Sequence, residues 1–108
     1  MAYKVRNTGD YAIVELTGDV DLERSPDVRK LLLEQIGAGH AVIVDLSGVS
    51  YIDSSGVASL VEAFQNARKR GSDFSLASVS AAAMRVLELA RLDKIFTIHA
   101  SVDAVTGG

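Results

Sequence analysis

A chain of 108 residues with a net charge of −3 has room for one domain built around one hydrophobic core. It contains no cysteine, which rules out disulfides, thiolate metal sites and a cysteine nucleophile. At 48% hydrophobic and 23% charged residues it reads as a soluble globular domain, with no apolar run of membrane-spanning length and no clustering of Lys and Arg broad enough for a nucleic-acid face.

The start, Met1-Ala2-Tyr3-Lys4, enters a strand-like pattern directly. It lacks the basic start and apolar stretch of a signal peptide, so a cytoplasmic chain is expected. Tyr3 to Asn7 and Tyr11 to Leu16 flank Thr8-Gly9-Asp10, which predicts a hairpin. Thr17-Gly18-Asp19-Val20-Asp21 is then expected to carry the chain out of the sheet. Ser25-Pro26 predicts a helix start, with Ser as N-cap and Pro at the first helical position. Val28, Leu31, Leu32 and Ile36 follow at helical spacing, and Gly37 and Gly39 supply a C-terminus.

Ala41-Val42-Ile43-Val44-Asp45-Leu46 is a nearly continuous apolar run, as a strand covered on both faces requires. Val57, Leu60, Val61, Phe64 and Ala67 predict a second helix closed by Gly71. Arg68-Lys69-Arg70 would complement the dipole at its end. Phe74 to Val79 predicts a strand, and Ser80 caps a third helix containing Met84, Val86, Leu87 and Ala90. Ile95 to Ile98 is a last strand, Ser101 to Val105 a helical turn, and Thr106-Gly107-Gly108 a frayed tail. The order β-β-α-β-α-β-α-β-α over residues 1–108 predicts one α/β domain. Its sheet should be mixed and mostly parallel, of about five strands with about four helices packed on it. No heptad run calls for self-association, so a monomer is expected.

The segment Val44-Asp45-Leu46-Ser47-Gly48-Val49-Ser50-Tyr51-Ile52-Asp53-Ser54-Ser55-Gly56 leaves the C-terminal end of a buried strand and enters a helix. Sites in open α/β sheets gather at that end. Asp53 is placed to cap the helix, with Ser54, Ser55 and Gly56 in its first turn. Backbone N–H groups there lack partners inside the helix and favour an anion, bound or attached to a hydroxyl. Gly56 has no side chain, so another surface can come close. From the residues alone, a simple helix cap accounts for the same pattern.

Other residues offer less chemistry. His40 and His99 stand alone, outside any metal-ligand spacing, so no metal is expected. A nucleophile elbow of the G-x-S-x-G kind and a Gly-rich phosphate loop are both missing, so no catalytic residues, no cofactor and no enzyme activity are expected. Asp45 is read as structural. Asp19 and Asp21 are either solvated loop acids or groups that meet a partner's cation.

The segment Val42 to Leu60 resembles the central motif of the STAS domain, named for sulfate transporters and anti-sigma factor antagonists. Leu16-Thr17-Gly18-Asp19-Val20-Asp21 is similar to the family's early segment, and Leu89 to Ile98 with Asp103 to its closing one. In the bacterial anti-sigma antagonists the first Ser after the Asp accepts phosphate, which selects Ser54 here. The resemblance implies that the unphosphorylated chain binds a serine kinase that is itself the anti-sigma factor. Phosphorylation releases it, and a serine phosphatase resets it. Asp21, Asp53, Ser54, Ser55 and Gly56 form the expected partner-binding set. A constitutive subunit of a transporter or lipid-transport complex is the alternative within the same family. One departure is Arg91-Leu92, where many relatives have Gly before Leu.

Overall fold

The structure is a computed structural model that describes residues 2–107, so Met1 and Gly108 lie outside the described residues; Thr106 and Gly107, expected in a frayed tail, instead close the last helical turn, their N–H groups on the Val102 and Asp103 carbonyls at 3.1 and 2.9 Å. Strand β1 (Ala2–Thr8) turns at Gly9, which holds a left-handed φ of 61°, into the antiparallel strand β2 (Tyr11–Val20). Helix α1 (Ser25–Gly37), strand β3 (Ala41–Ile52), helix α2 (Ser54–Arg70), strand β4 (Phe74–Ala77), helix α3 (Ala81–Leu89), strand β5 (Thr97–His99) and the short helix α4 (Asp103–Thr106) follow. The sheet order is β1-β2-β3-β4-β5, with β2 to β5 mutually parallel. This is the mixed, mostly parallel α/β sheet that the sequence pattern predicts.

One face of the sheet carries the main core. Val14, Leu16, Val44 and Leu46 pack there with Val28, Leu32 and Ile36 of α1, Val57 and Leu60 of α2, and Leu87 of α3. On the other face Ile13, Ile43 and Ala77 pack with Val102, at the start of α4. Strands β2 and β3 are thus apolar on both sides, which is why Ala41 to Leu46 has no alternation.

Both central strands run further than the hydrophobic pattern suggests. Thr17-Gly18-Asp19-Val20 stays in β2 and pairs with Gly48-Val49-Ser50-Tyr51-Ile52, through register shifts between Glu15 and Thr17 and between Gly18 and Asp19. From Leu46 to the end of β3 the buried residues are Leu46, Val49 and Ile52, spaced by three instead of two. Each irregularity advances the strand by a residue and returns an apolar side chain to the core, so a period of two cannot follow it. Asp45 sustains the first shift by accepting the Ser47 N–H at 2.9 Å. Gly48 permits it, since a Cβ there would lie 2.6 Å from Thr17 Cγ2.

Other boundaries move by a few residues. Strand β4 stops at Ala77 because Ser78 takes a left-handed φ of 51°. Ile95 and Phe96 belong to a turn, both N–H groups donating to the Leu92 carbonyl, so β5 begins only at Thr97. Ser25 does not cap α1. It is the first helical residue and is buried, while the preceding Arg24 offers no side-chain cap. Asp21 does that work four residues earlier: its carboxylate accepts the Glu23 and Arg24 N–H groups at 3.1 and 3.2 Å. Pro26 does fall in the first turn of α1, and Ser80 does cap α3 by accepting the Ala83 N–H. Arg91 holds a left-handed φ of 59°, the conformation that a Gly would take there without steric cost. The helix end closes all the same, with Leu92 N–H on the Leu87 carbonyl at 2.8 Å.

Two contacts fix α2 against its neighbours. Arg29 of α1 pairs bidentately with Glu62 of α2. The hydrogen bond from Arg29 holds the Glu62 carboxyl below its ordinary pKa, and Glu62 raises Arg29. Both groups face water, so this clamp orients the helices more than it stabilises them. Phe64 is half-buried, with its ring 5.5 Å from that of Phe96 and 6.4 Å from that of Phe74. Phe64→Ala should therefore cost about 2 kcal/mol, below the ~3–5 of a fully buried ring. Urea unfolding checks this, and an unchanged midpoint would contradict the packing of α2 on the β4 side of the sheet.

Candidate functional site

The end of β3 and the start of α2 meet at Asp53, whose backbone is extended (φ −107°, ψ −175°) immediately before the helix. Its Oδ1 accepts the N–H groups of Ser55 and Gly56 at 2.9 and 3.1 Å. That is the N-cap its position predicts, and it satisfies two donors that the helix cannot. The other oxygen, Oδ2, reaches outside the helix and accepts the N–H of Leu22 at 3.1 Å. The Asp53 N–H donates to the Val20 carbonyl at 3.3 Å. One residue thus joins the α2 N-terminus to the β2–α1 turn.

A second tie lies one turn down the helix. The buried Ser59 donates its hydroxyl towards the carbonyls of Ser25 and Ser55, at 3.1 and 3.2 Å. Sequence reading missed it, although a Ser among Val57, Leu60 and Ala63 on the buried face of a helix was a visible sign. The turn from Asp21 to Ser25 and the first turns of α2 are therefore cross-linked at Val20, Leu22 and Ser25.

Within this frame the predicted residues separate. Ser54 is the first residue of α2 and is exposed, whereas Ser55 is half-buried and Gly56 is buried. The surface that comes close to Gly56 is the chain's own: a Cβ there would lie 2.6 Å from the Val20 carbonyl oxygen and 2.7 Å from Ile52 Cγ1. Asp21 is half-buried, with its carboxylate engaged by Glu23 and Arg24. Asp19 is exposed and pairs in register with Tyr51. Leu22, absent from the sequence-based set, is 71% exposed beside Asp53. A single Leu in a polar turn gives no periodic signal, so nothing in the sequence singled it out.

The site can accept charge without refolding. Helix α2 is 17 residues long, with Arg68, Lys69 and Arg70 in its last turn and Gly71 left-handed at its C-cap. Its positive dipole end faces Ser54, and an anion there is favourable by about 0.3–1 kcal/mol. The two histidines stand apart, His40 in the α1–β3 turn and His99 at the end of β5. A groove of ≈ 450 Å³ on the β1–β2–β3 side is lined by Tyr3, Lys4, Glu15, Thr17, Asp45 and Ser47 and does not include Ser54. Among the described residues, no helix is long and apolar enough to cross a membrane.

Residues 2–105 match the family model of the STAS domain. The chain is 33% identical over 96 residues to an anti-sigma-B factor antagonist of Listeria monocytogenes, a match covering 88% of this chain and 83% of that one. Its fold matches that of an anti-sigma factor antagonist from Mycobacterium paratuberculosis with a TM-score of 0.86 at 21% identity, covering 95% and 88% of the two chains. It also matches the Bacillus cell fate determinant SpoIIAA in its phosphorylated form, with a TM-score of 0.78 at 18% identity over 98% and 97% of the chains.

Proposed function

The chain belongs to the STAS domain family, and on that premise we propose that it is an anti-sigma factor antagonist switched by phosphorylation of Ser54. The observation that carries this reading is the contrast between two adjacent hydroxyls. Ser54 projects to solvent at the N-terminus of α2, while Ser55 turns half under the surface beside the Asp53 cap. A kinase can reach the first without disturbing the helix.

The partner is a switch-type serine kinase that is itself the anti-sigma factor. In the transfer, Ser54 Oγ forms a bond to the γ-phosphorus of ATP as the bond to ADP breaks. The hydroxyl proton leaves to a base on the kinase. This chain contributes the acceptor and its placement and acts as no enzyme. A serine phosphatase hydrolyses the ester and restores the hydroxyl. Asp21 and Asp53 hold the two turns that frame the acceptor, Gly56 is buried against Val20 and seats the helix start instead of meeting a partner, and the exposed Ser54 with the half-buried Ser55 forms the surface that the kinase covers.

Incubating the purified chain with Mg·ATP and each serine-kinase anti-sigma factor encoded in its own genome tests the reading. Mass spectrometry should place one phosphate on Ser54, and Ser54→Ala should abolish it. Phosphate on Ser55, or stable binding to a kinase with no transfer at all, would overturn the assignment.

A further inference from the structure

We propose that Leu22 is the apolar anchor by which the kinase partner recognises this chain, and that the Asp53 carboxylate is the positioning group that presents it. The proposal rests on the antagonist reading above and adds a recognition element to it.

An exposed leucine alone means little, since single apolar side chains are common on protein surfaces. Leu22 differs in how its backbone is held. Its N–H donates to Asp53 Oδ2 at 3.1 Å, and its carbonyl lies 3.4 Å from the Ser25 hydroxyl. The two residues that follow it are capped by Asp21. The turn is thus fixed on both sides of Leu22, while the side chain is 71% exposed. The carboxylate that fixes it also caps the helix that begins with the acceptor Ser54. An apolar side chain on a turn whose backbone is already fixed costs no backbone ordering on binding, which favours it as an anchor. The partner that fits it is a protein face with an apolar pocket beside its phosphoryl-transfer site.

The two oxygens of Asp53 have separate tasks, so the latch can be broken without the cap. In Asp53→Asn the carboxamide oxygen can still accept from Ser55 and Gly56, but the NH2 group cannot accept from Leu22. The test uses the full chain and the kinase that phosphorylates it on Ser54. Binding is measured by calorimetry for wild type, Leu22→Ala, Leu22→Met, Asp53→Asn and Leu89→Ala. The last removes a leucine that is 80% exposed at the far end of α3. Leu22→Ala should bind ten- to a hundredfold more weakly, as expected for losing a buried leucine contact. Leu22→Met should recover most of that loss, and Leu89→Ala should bind as wild type. Asp53→Asn should weaken binding and speed hydrogen exchange at the Leu22 amide, with the Ser55 and Gly56 amides still protected.

Wild-type affinity in Leu22→Ala, with Ser54 still phosphorylated in the wild type, would overturn the anchor and leave the antagonist reading standing. An unchanged Leu22 amide in Asp53→Asn would overturn the latch. Failure of every kinase to phosphorylate wild-type Ser54 would overturn the antagonist reading and the anchor together.

Discussion

Gly56→Ala should lower the stability of the fold by about 2–3 kcal/mol, which is large for the addition of one methyl group. The added Cβ would meet the Val20 carbonyl oxygen at 2.6 Å, Ile52 Cγ1 at 2.7 Å and Val20 Cγ1 at 2.9 Å. The side-chain atoms can turn away, but the carbonyl cannot do so freely. It accepts the Asp53 N–H at 3.3 Å and sits at the end of β2, in register with Ile52. Relief therefore requires α2 to lift off the sheet at its N-terminus, and that opens the packing of Val57 and Leu60. Ala is the better helix former by up to about 1 kcal/mol, which offsets only part of the cost. Urea unfolding should show a lower midpoint with an unchanged slope. A midpoint equal to that of the wild type would mean that the helix start does not rest on β2 as described.

This result bears on why the Asp-Ser-Ser-Gly sequence is what it is. Asp53 caps and latches, Ser54 faces out, Ser55 donates its amide to the cap, and Gly56 lets the helix start lie against Val20. Three of the four positions serve the junction itself. The exposed Ser54 is the one whose side chain the fold leaves open to a partner.

Much of this was legible beforehand, for identifiable reasons. The helix of Val57, Leu60 and Ala67, its Asp53 cap and its Gly71 terminator are local features, and local rules found them. The hydrophobic pattern carries the two central strands only to Leu16 and Leu46, because past those points the register shifts and the buried residues Leu46, Val49 and Ile52 fall three apart. Ser25-Pro26 looked like a helix start because it has the right residue types, yet Asp21 caps that turn and Ser25 is buried against it. A Gly after Asp-Ser-Ser predicts close approach of another surface, and that surface is Val20 of the same chain. Leu22 and Ser59 were missed because their importance comes from contacts across 31 and 34 residues of sequence, which no local pattern encodes.

Ser54→Asp should weaken binding to the kinase by tenfold or more relative to Ser54→Ala, while the free protein remains at least as stable as the wild type. A negative charge on this side chain acts with opposite sign in the free protein and in the complex. In the free protein a carboxylate in the first turn of α2 meets the positive end of the helix dipole, worth about 0.3–1 kcal/mol of stability. Water covers the rest of the charge, and Ser54 is exposed, so no packing is lost. In the complex that water is removed, and the new charge is left beside the Asp53 carboxylate without solvent to screen it. Like-charge contact of this kind costs several kcal/mol, and ~3 kcal/mol corresponds to about a hundredfold in affinity. A phosphoserine should act more strongly than Asp, since it carries about −1.5 to −2 charges. Ser54→Ala removes only a small hydroxyl and should bind within a few-fold of the wild type, locking the kinase in complex. Calorimetric titration of the three proteins and their thermal melts measure both halves. If Ser54→Asp bound as tightly as Ser54→Ala, charge at this position would not be the switch. If it bound weakly but also melted lower, the loss would reflect a damaged α2 start instead of a blocked surface.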